Sequence, residues 1–277
     1  MPQTLIPPGC GLDLDDLNDL RAAVVALEQR SLAARLSALA GKQIGFAGVA
    51  IPAHLREMAG KAARAGLEAA LRVAIKSLRN APAGDAGRLH KQLAMAAGAV
   101  GGALGLAGLP LELPISTTIL LRAIADIARS EGENLDHPEA ALACLEVFAL
   151  GGHGDEEAML EGGYLALRGV FAKSVSDAAR YAALYGASAE SAPIIAALVS
   201  KIAARFGVAV SQKAAAQAMP AIGALSGAAI NLAFAEHFQT LARGHFIVRR
   251  LERAYGAALV QEEYARILRD EGFSSAA

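Results

Sequence analysis

The chain has 277 residues, enough for a sizeable core, with a formal net charge of -1, 54% apolar residues and 19% charged ones. That balance excludes a global electrostatic footprint for nucleic acid, so no nucleic-acid partner is expected. Trp is absent and aromatics reach only 5%, so the apolar character comes from alanine and glycine, and helices must approach one another through small side chains.

Residues 1–13 are rich in Pro and Gly and read as a flexible N-terminal arm. They lack a basic start followed by an apolar core, so no signal peptide is visible and a cytoplasmic protein is expected. Residues 14–272 read as a single helical domain. Asp13 to Asp16 offers a cap and an acidic first turn for a helix with apolar positions at Leu17, Leu20, Val24 and Leu27, continuing through Leu32, Leu36 and Leu39 to a stop at Gly41 and Gly45. Pro52 opens a second helix over Leu55 to Asn80. Its apolar stripe, Leu67, Leu71, Ile75 and Leu78, runs beside a basic one at Lys61, Arg72, Lys76 and Arg79. Residues 55–91 carry eight basic and three acidic side chains. A basic amphipathic helix of this kind suits anionic lipid headgroups, and it also suits a solvated bundle face.

Gly98, Gly101, Gly102 and Gly105 form interleaved pairs of small residues. Pro110 and Pro114 then remove two backbone donors and bias Leu109 and Leu113 away from helix, which predicts a break around Glu112. Ser116 is the expected cap of the next helix, Thr117 to Arg129, which Gly132 ends. Asp136-His137-Pro138-Glu139 supplies a cap, a first-turn proline and a capping-box carboxylate for a helix ending at Leu150, with Glu146 near the edge of its apolar stripe. A helix from Tyr164 to about Tyr185 follows, then one from Pro193 to Met219. Beyond a break at Pro220, a helix bearing Gly223, Gly227 and Asn231 on one ridge runs to Tyr255, and a last amphipathic helix covers Leu259 to Leu268. No strand-period alternation occurs. The expected fold is all-α, a single multi-helix bundle with Ala/Gly-rich central helices broken by prolines. Gln92 to Leu111 and Ala214 to Ala235 are uncharged and long enough to span a bilayer, but their Ala/Gly/Pro content equally suits buried core helices.

Three motifs carry a family resemblance: Leu111-Glu-Leu-Pro-Ile-Ser-Thr-Thr-Ile-Leu-Leu-Arg-Ala-Ile-Ala-Asp-Ile-Ala-Arg with Gly132; Cys144-Leu-Glu-Val-Phe-Ala-Leu-Gly; and Pro220-Ala-Ile-Gly-Ala, Asn231 and the His245-Phe-x-x-Arg-Arg-Leu-Glu-Arg run. In these the chain resembles the EcsC family of bacterial proteins. The resemblance implies a helical protein whose family is named for an ABC-transporter operon. It supplies no catalytic set.

The candidate ligand-binding residues are therefore chosen on chemistry: Glu112, Thr117, Thr118, Arg122, Asp126, Asn231 and His237. Arg122 and Asp126 are i, i+4 with Glu112 upstream, so the three make either a clasp joining two helices or a polar site in an apolar groove. His237 and His245 are eight residues apart, about 12 Å along a helix at 1.5 Å per residue, too far for one ion, so no metal site is assigned. A phosphate loop and a nucleophile elbow are both missing, and no cofactor is expected. The leading expectation is a non-enzymatic protein, cytoplasmic or peripheral to the inner face of the cell membrane. It would bind membrane lipid or a membrane protein such as a transporter through its small-residue helices, with Lys61, Arg72, Lys76 and Arg79 as the membrane surface. A hydrolase or metal-dependent enzyme centred on Glu112, and a soluble scaffold without a ligand, are the alternatives.

Overall fold

A computed structural model describes residues 11–28, 32, 35, 36, 53–77, 109–152, 163–185, 192–218 and 227–273. These form eight helices and no strand: α1 (Leu14–Glu28), α2 (Ala53–Ser77), α3 (Leu109–Ser130), α4 (Pro138–Leu150), α5 (Gly163–Tyr185), α6 (Ala192–Ala218), α7 (Gly227–Tyr255) and α8 (Ala257–Asp270). The all-α reading holds. Asp13 caps α1, its carboxylate accepting the Asp16 N–H at 2.8 Å. Leu20, Val24 and Leu27 are buried, as are Leu32 and Leu36 beyond the end of α1. The glycine pairs at 98–105, Pro220 and Gly223 lie outside the described residues.

α4 is the centre of the bundle. Every residue from Leu142 to Leu150 is buried, and α5, α6, α7 and α3 pack around it. Phe148 of α4, Phe206 of α6, and Phe234 and Phe238 of α7 gather into one aromatic cluster, with ring centroids 4.9–6.1 Å apart. Elsewhere the helices meet through small residues, as the composition implies. A Cβ on Gly66 of α2 would lie 2.7 Å from Thr117 Oγ1 of α3, and one on Gly244 of α7 would lie 2.7 Å from Leu27 Cγ of α1. α2 lies along both α3 and α6, while α1 and α8 pack on α7.

Several local expectations change. α3 runs through Pro114 without breaking. Pro110 falls among the first N–H groups of the described helix, which have no intrahelical partner, so its missing donor removes little; Pro114 is the sixth residue and removes one bond, to the Pro110 carbonyl, without ending the helix. Ser116 is accordingly inside the helix and is no cap; its hydroxyl donates to Leu113 O at 3.3 Å. The N-cap of α4 is His137, with no side-chain bond, followed by Pro138 at N1. Glu146 is not at the edge of α4: it is 3% exposed. Ala214 to Ala235 falls across the end of α6 and the start of α7. The one described helix long and apolar enough to cross a membrane is Pro193–Gln217, and half of its most apolar stretch is buried inside this fold.

Candidate functional site

Glu112 stands in the first turn of α3, and Lys213 in the second-last turn of α6. Each charge sits towards the helix end whose dipole favours it. The Lys213 ammonium donates to Glu112 Oε1, and both side chains are sealed, at 0% and 1% exposure. The Nζ atom also lies 5.1 Å from the centroid of the Phe234 ring on α7, a cation–π placement. Burial pulls the Lys213 pKa down from its ordinary value, and the Glu112 carboxylate opposes that pull. Taking two such charges out of water costs several kcal/mol per ion, and the mutual attraction offsets this only when the remaining hydrogen-bonding capacity is also met.

Here it is not met. Glu112 Oε2, Gln212 Oε1, both amide atoms of Gln217, Asn231 Nδ2 and Thr117 Oγ1 are buried without a hydrogen-bond partner among the described residues. Gln217 follows Lys213 by four residues, so the two share a face of α6. Asn231 precedes Phe234 by three residues on α7, which puts it one turn from the ring under Lys213. Gln217 on α6 and Asn231 on α7 thus each stand one helical turn from a residue that touches the Lys213 ammonium or carries it. Each unmet group costs about 1–3 kcal/mol in a finished core.

The structure gathers only part of the expected residue set. Glu112 and Asn231 belong to this site. Thr117 lies on the same turns of α3 but faces Gly66. Thr118 is spent locally, donating to Pro114 O at 2.7 Å. Arg122 is exposed and is not the partner of Glu112. Asp126 pairs with Arg129 at 2.9 Å, so the expected Arg122–Asp126–Glu112 clasp is corrected to Glu112–Lys213, which joins α3 to α6. The reason is helical phase: Glu112 points into the bundle and Arg122, ten residues on, points out. His237 is buried with its ring edge-on to Phe238 at 5.3 Å. Lys61 is exposed and paired with Glu57 at 2.7 Å. The side chains of Arg72 and Lys76, and Arg79, lie outside the described residues. Lys213 was missed because it stands just before the uncharged stretch that begins at Ala214, where it reads as the flank of a core helix. A single lysine between Val210 and Ala214, both core residues, was the available signal.

A second buried polar centre joins α4, α5 and α7. The Tyr164 hydroxyl is hydrogen-bonded to His245 Nδ1 at 2.9 Å, and Arg168 donates twice to Glu252, at 2.7 and 2.6 Å. Glu28 of α1 accepts the Tyr164 N–H at 3.1 Å and the Tyr264 hydroxyl of α8 at 2.8 Å. Burial pushes the Glu146 carboxyl up to about 7, against the opposing charges of Arg168 and Arg249. Burial, with the same two arginines, holds His245 neutral, well below the ordinary imidazole range. No group of three or more His, Cys, Asp or Glu among the described residues could hold a metal ion.

The family model of the EcsC protein family matches residues 55–251. The chain belongs to the EcsC family. The match runs from α2 through most of α7, so it takes in Glu112, Lys213 and Asn231, and also Glu146, Tyr164 and His245. In this EcsC protein Glu28 and Tyr264, which close the second centre from α1 and α8, stand outside it. No curated protein and no solved structure matches the chain.

Proposed function

We propose that this EcsC family protein is a non-enzymatic binding protein that works at the cytoplasmic face of a membrane, receiving a polar group of a lipid or membrane protein between α3, α6 and α7. The observation that supports this is the buried Glu112–Lys213 pair with Glu112 Oε2, and the amides of Gln217 and Asn231 one helical turn along α6 and α7, unmatched among the described residues. Because the pair is already balanced, the site favours a group that brings both hydrogen-bond donors and acceptors and no net charge. A hydrolase centred on Glu112 fits less well, since one of its two carboxylate oxygens is already engaged by the Lys213 ammonium.

The test is a thermal melt of the full chain, wild type and Asn231→Ala, with and without detergent-solubilised total membrane lipid. Asn231 carries an unmet amide, so its truncation leaves the pair intact. Lipid is expected to raise the melting temperature of the wild type and to raise that of the variant less. Equal shifts in both proteins, or none in either, would remove the reading. Stoichiometric zinc in the purified protein would favour the enzyme.

A further inference from the structure

α5 and α6 present one continuous outward face of unusual composition. On α5 the exposed residues include Ala166, Val170, Lys173, Arg180 and Leu184, and on α6 Pro193, Ala197, Lys201, Ala204 and Val208. Spacings of three, four and seven residues keep each set on one side of its helix. Val170 and Leu184 are 70% and 68% exposed. The two helices are joined at this surface, where Lys201 Nζ donates to Ser174 Oγ at 2.8 Å.

Charge separates this face from an ordinary solvated one. Asp177 is the one acid on either helix, and it sits four residues after Lys173 and three before Arg180. The basic residues Lys173, Arg180 and Lys201 stand among the exposed apolar side chains. Arg168, Arg205 and Lys213 point elsewhere, to Glu252, Ala149 O and Glu112. The contrast with α2 is direct: there the exposed Lys61 and Arg64 are each answered by a glutamate four residues away, at 2.7 and 3.0 Å. A face of isolated large apolar groups set among three cations and a single acid has the chemistry of an interfacial anchor, with the apolar side chains entering the acyl boundary and the cations meeting anionic headgroups.

We infer that the α5–α6 face docks this protein on an anionic lipid bilayer. The inference rests on the membrane reading above and adds which surface makes the contact, with the bilayer itself as the occupant. Long lysine and arginine side chains suit this position because their stems cover apolar surface while the heads stay at the headgroup level.

The experiment is flotation of the full-length protein with vesicles of equimolar phosphatidylcholine and phosphatidylglycerol at low salt. Variants are K173Q/R180Q/K201Q, V170E/L184E and, for the basic stripe of α2, R72Q/K76Q/R79Q. Each substituted side chain on α5 and α6 is exposed, and circular dichroism of each variant checks that the fold is kept. Each lost cation is expected to lower partitioning about fivefold, so the α5–α6 triple variant should bind on the order of a hundredfold less. High salt should release the wild type, because the attraction is screened. V170E/L184E should also fail to float, and the α2 triple variant should float like wild type. If wild type floats and both α5–α6 variants float equally, the docking face is wrong while the membrane reading stands. Loss confined to the α2 variant would place the contact there instead. If wild type does not float with these vesicles, the bilayer is not the partner, and both the docking face and the lipid form of the membrane reading fall together.

Discussion

α7 uses polar side chains in two opposite ways along its length. Its C-terminal half carries a clamp in which arginines are answered by acids from other elements. Arg249 donates to Glu133 at 2.7 Å, and Arg253 reaches both Glu133 and the Glu131 carbonyl. Arg250 spans Asp16, Asp19 and Glu131 at 2.8, 2.5 and 3.0 Å. The clamp ties α1 and the turn after α3 to α7, and it lies partly in water. The N-terminal half of α7 contributes Asn231 and Phe234 to the sealed Glu112–Lys213 site, where Glu112 Oε2 and Asn231 Nδ2 have no partner among the described residues. The satisfied network at the rim explains itself as architecture. The unsatisfied one in the core does not, and for that reason it is the better candidate for function.

The sharpest way to break the comparison is to strand one charge. Lys213→Met leaves the Glu112 carboxylate buried alone and should cost about 3–5 kcal/mol, read by denaturant melts. The double variant Glu112→Leu/Lys213→Met should recover most of that loss. A single variant as stable as wild type would show that water reaches the pair.

A smaller effect separates the second buried centre from the first. With its folded pKa raised to about 7 from an ordinary 4.5, Glu146 binds its proton more tightly in the folded state than in the unfolded one. Stability should therefore fall as pH rises from about 4.5 to about 7 and level off above that, by roughly 3 kcal/mol in all. Glu146→Gln should flatten this slope, and an unchanged slope would place the titration elsewhere.

In the clamp the sign reverses. Burial pushes the Glu133 carboxyl up, but Arg249 and Arg253 outweigh it and hold the pKa below its ordinary value. Its contribution is present above the unfolded carboxylate range and is lost as pH falls through the folded value. Glu133→Gln should cost about 1–3 kcal/mol at neutral pH and nearly nothing in strong acid. At the far end of the scale, Lys61→Gln removes a fully solvated pair and should leave the melting temperature unchanged.

The amphipathic periodicity made the helices legible, because a bundle must bury one stripe of each, and Asp13 and Pro138 marked two starts correctly. Glu112 stood out as a carboxylate in an apolar setting. Its partner did not, because Lys213 lies 101 residues away and nothing local relates the two. The prolines misled for a physical reason: one backbone bond lost at Pro114 does not end a helix whose later turns are held by packing in the bundle. Glu146 looked peripheral because an amphipathic stripe implies one wet face, and α4 has none beyond its first turn. The docking face on α5 and α6 was hidden for the opposite reason. Basic residues spaced thinly over two helices make no run in the sequence, and they become one surface only when the helices lie side by side.

The sealed position of α4 also gives the molecule a built-in clock. Cys144 is fully buried, and burial pushes its thiol up to about 12, so the reactive thiolate is scarce while the helix stays in place. With Cys10 replaced by serine, the rate at which a thiol reagent labels the native protein counts the moments at which the centre of the bundle opens. Comparing that rate with and without a bound partner would show whether occupancy at the far end of α7 is felt in the middle of the protein.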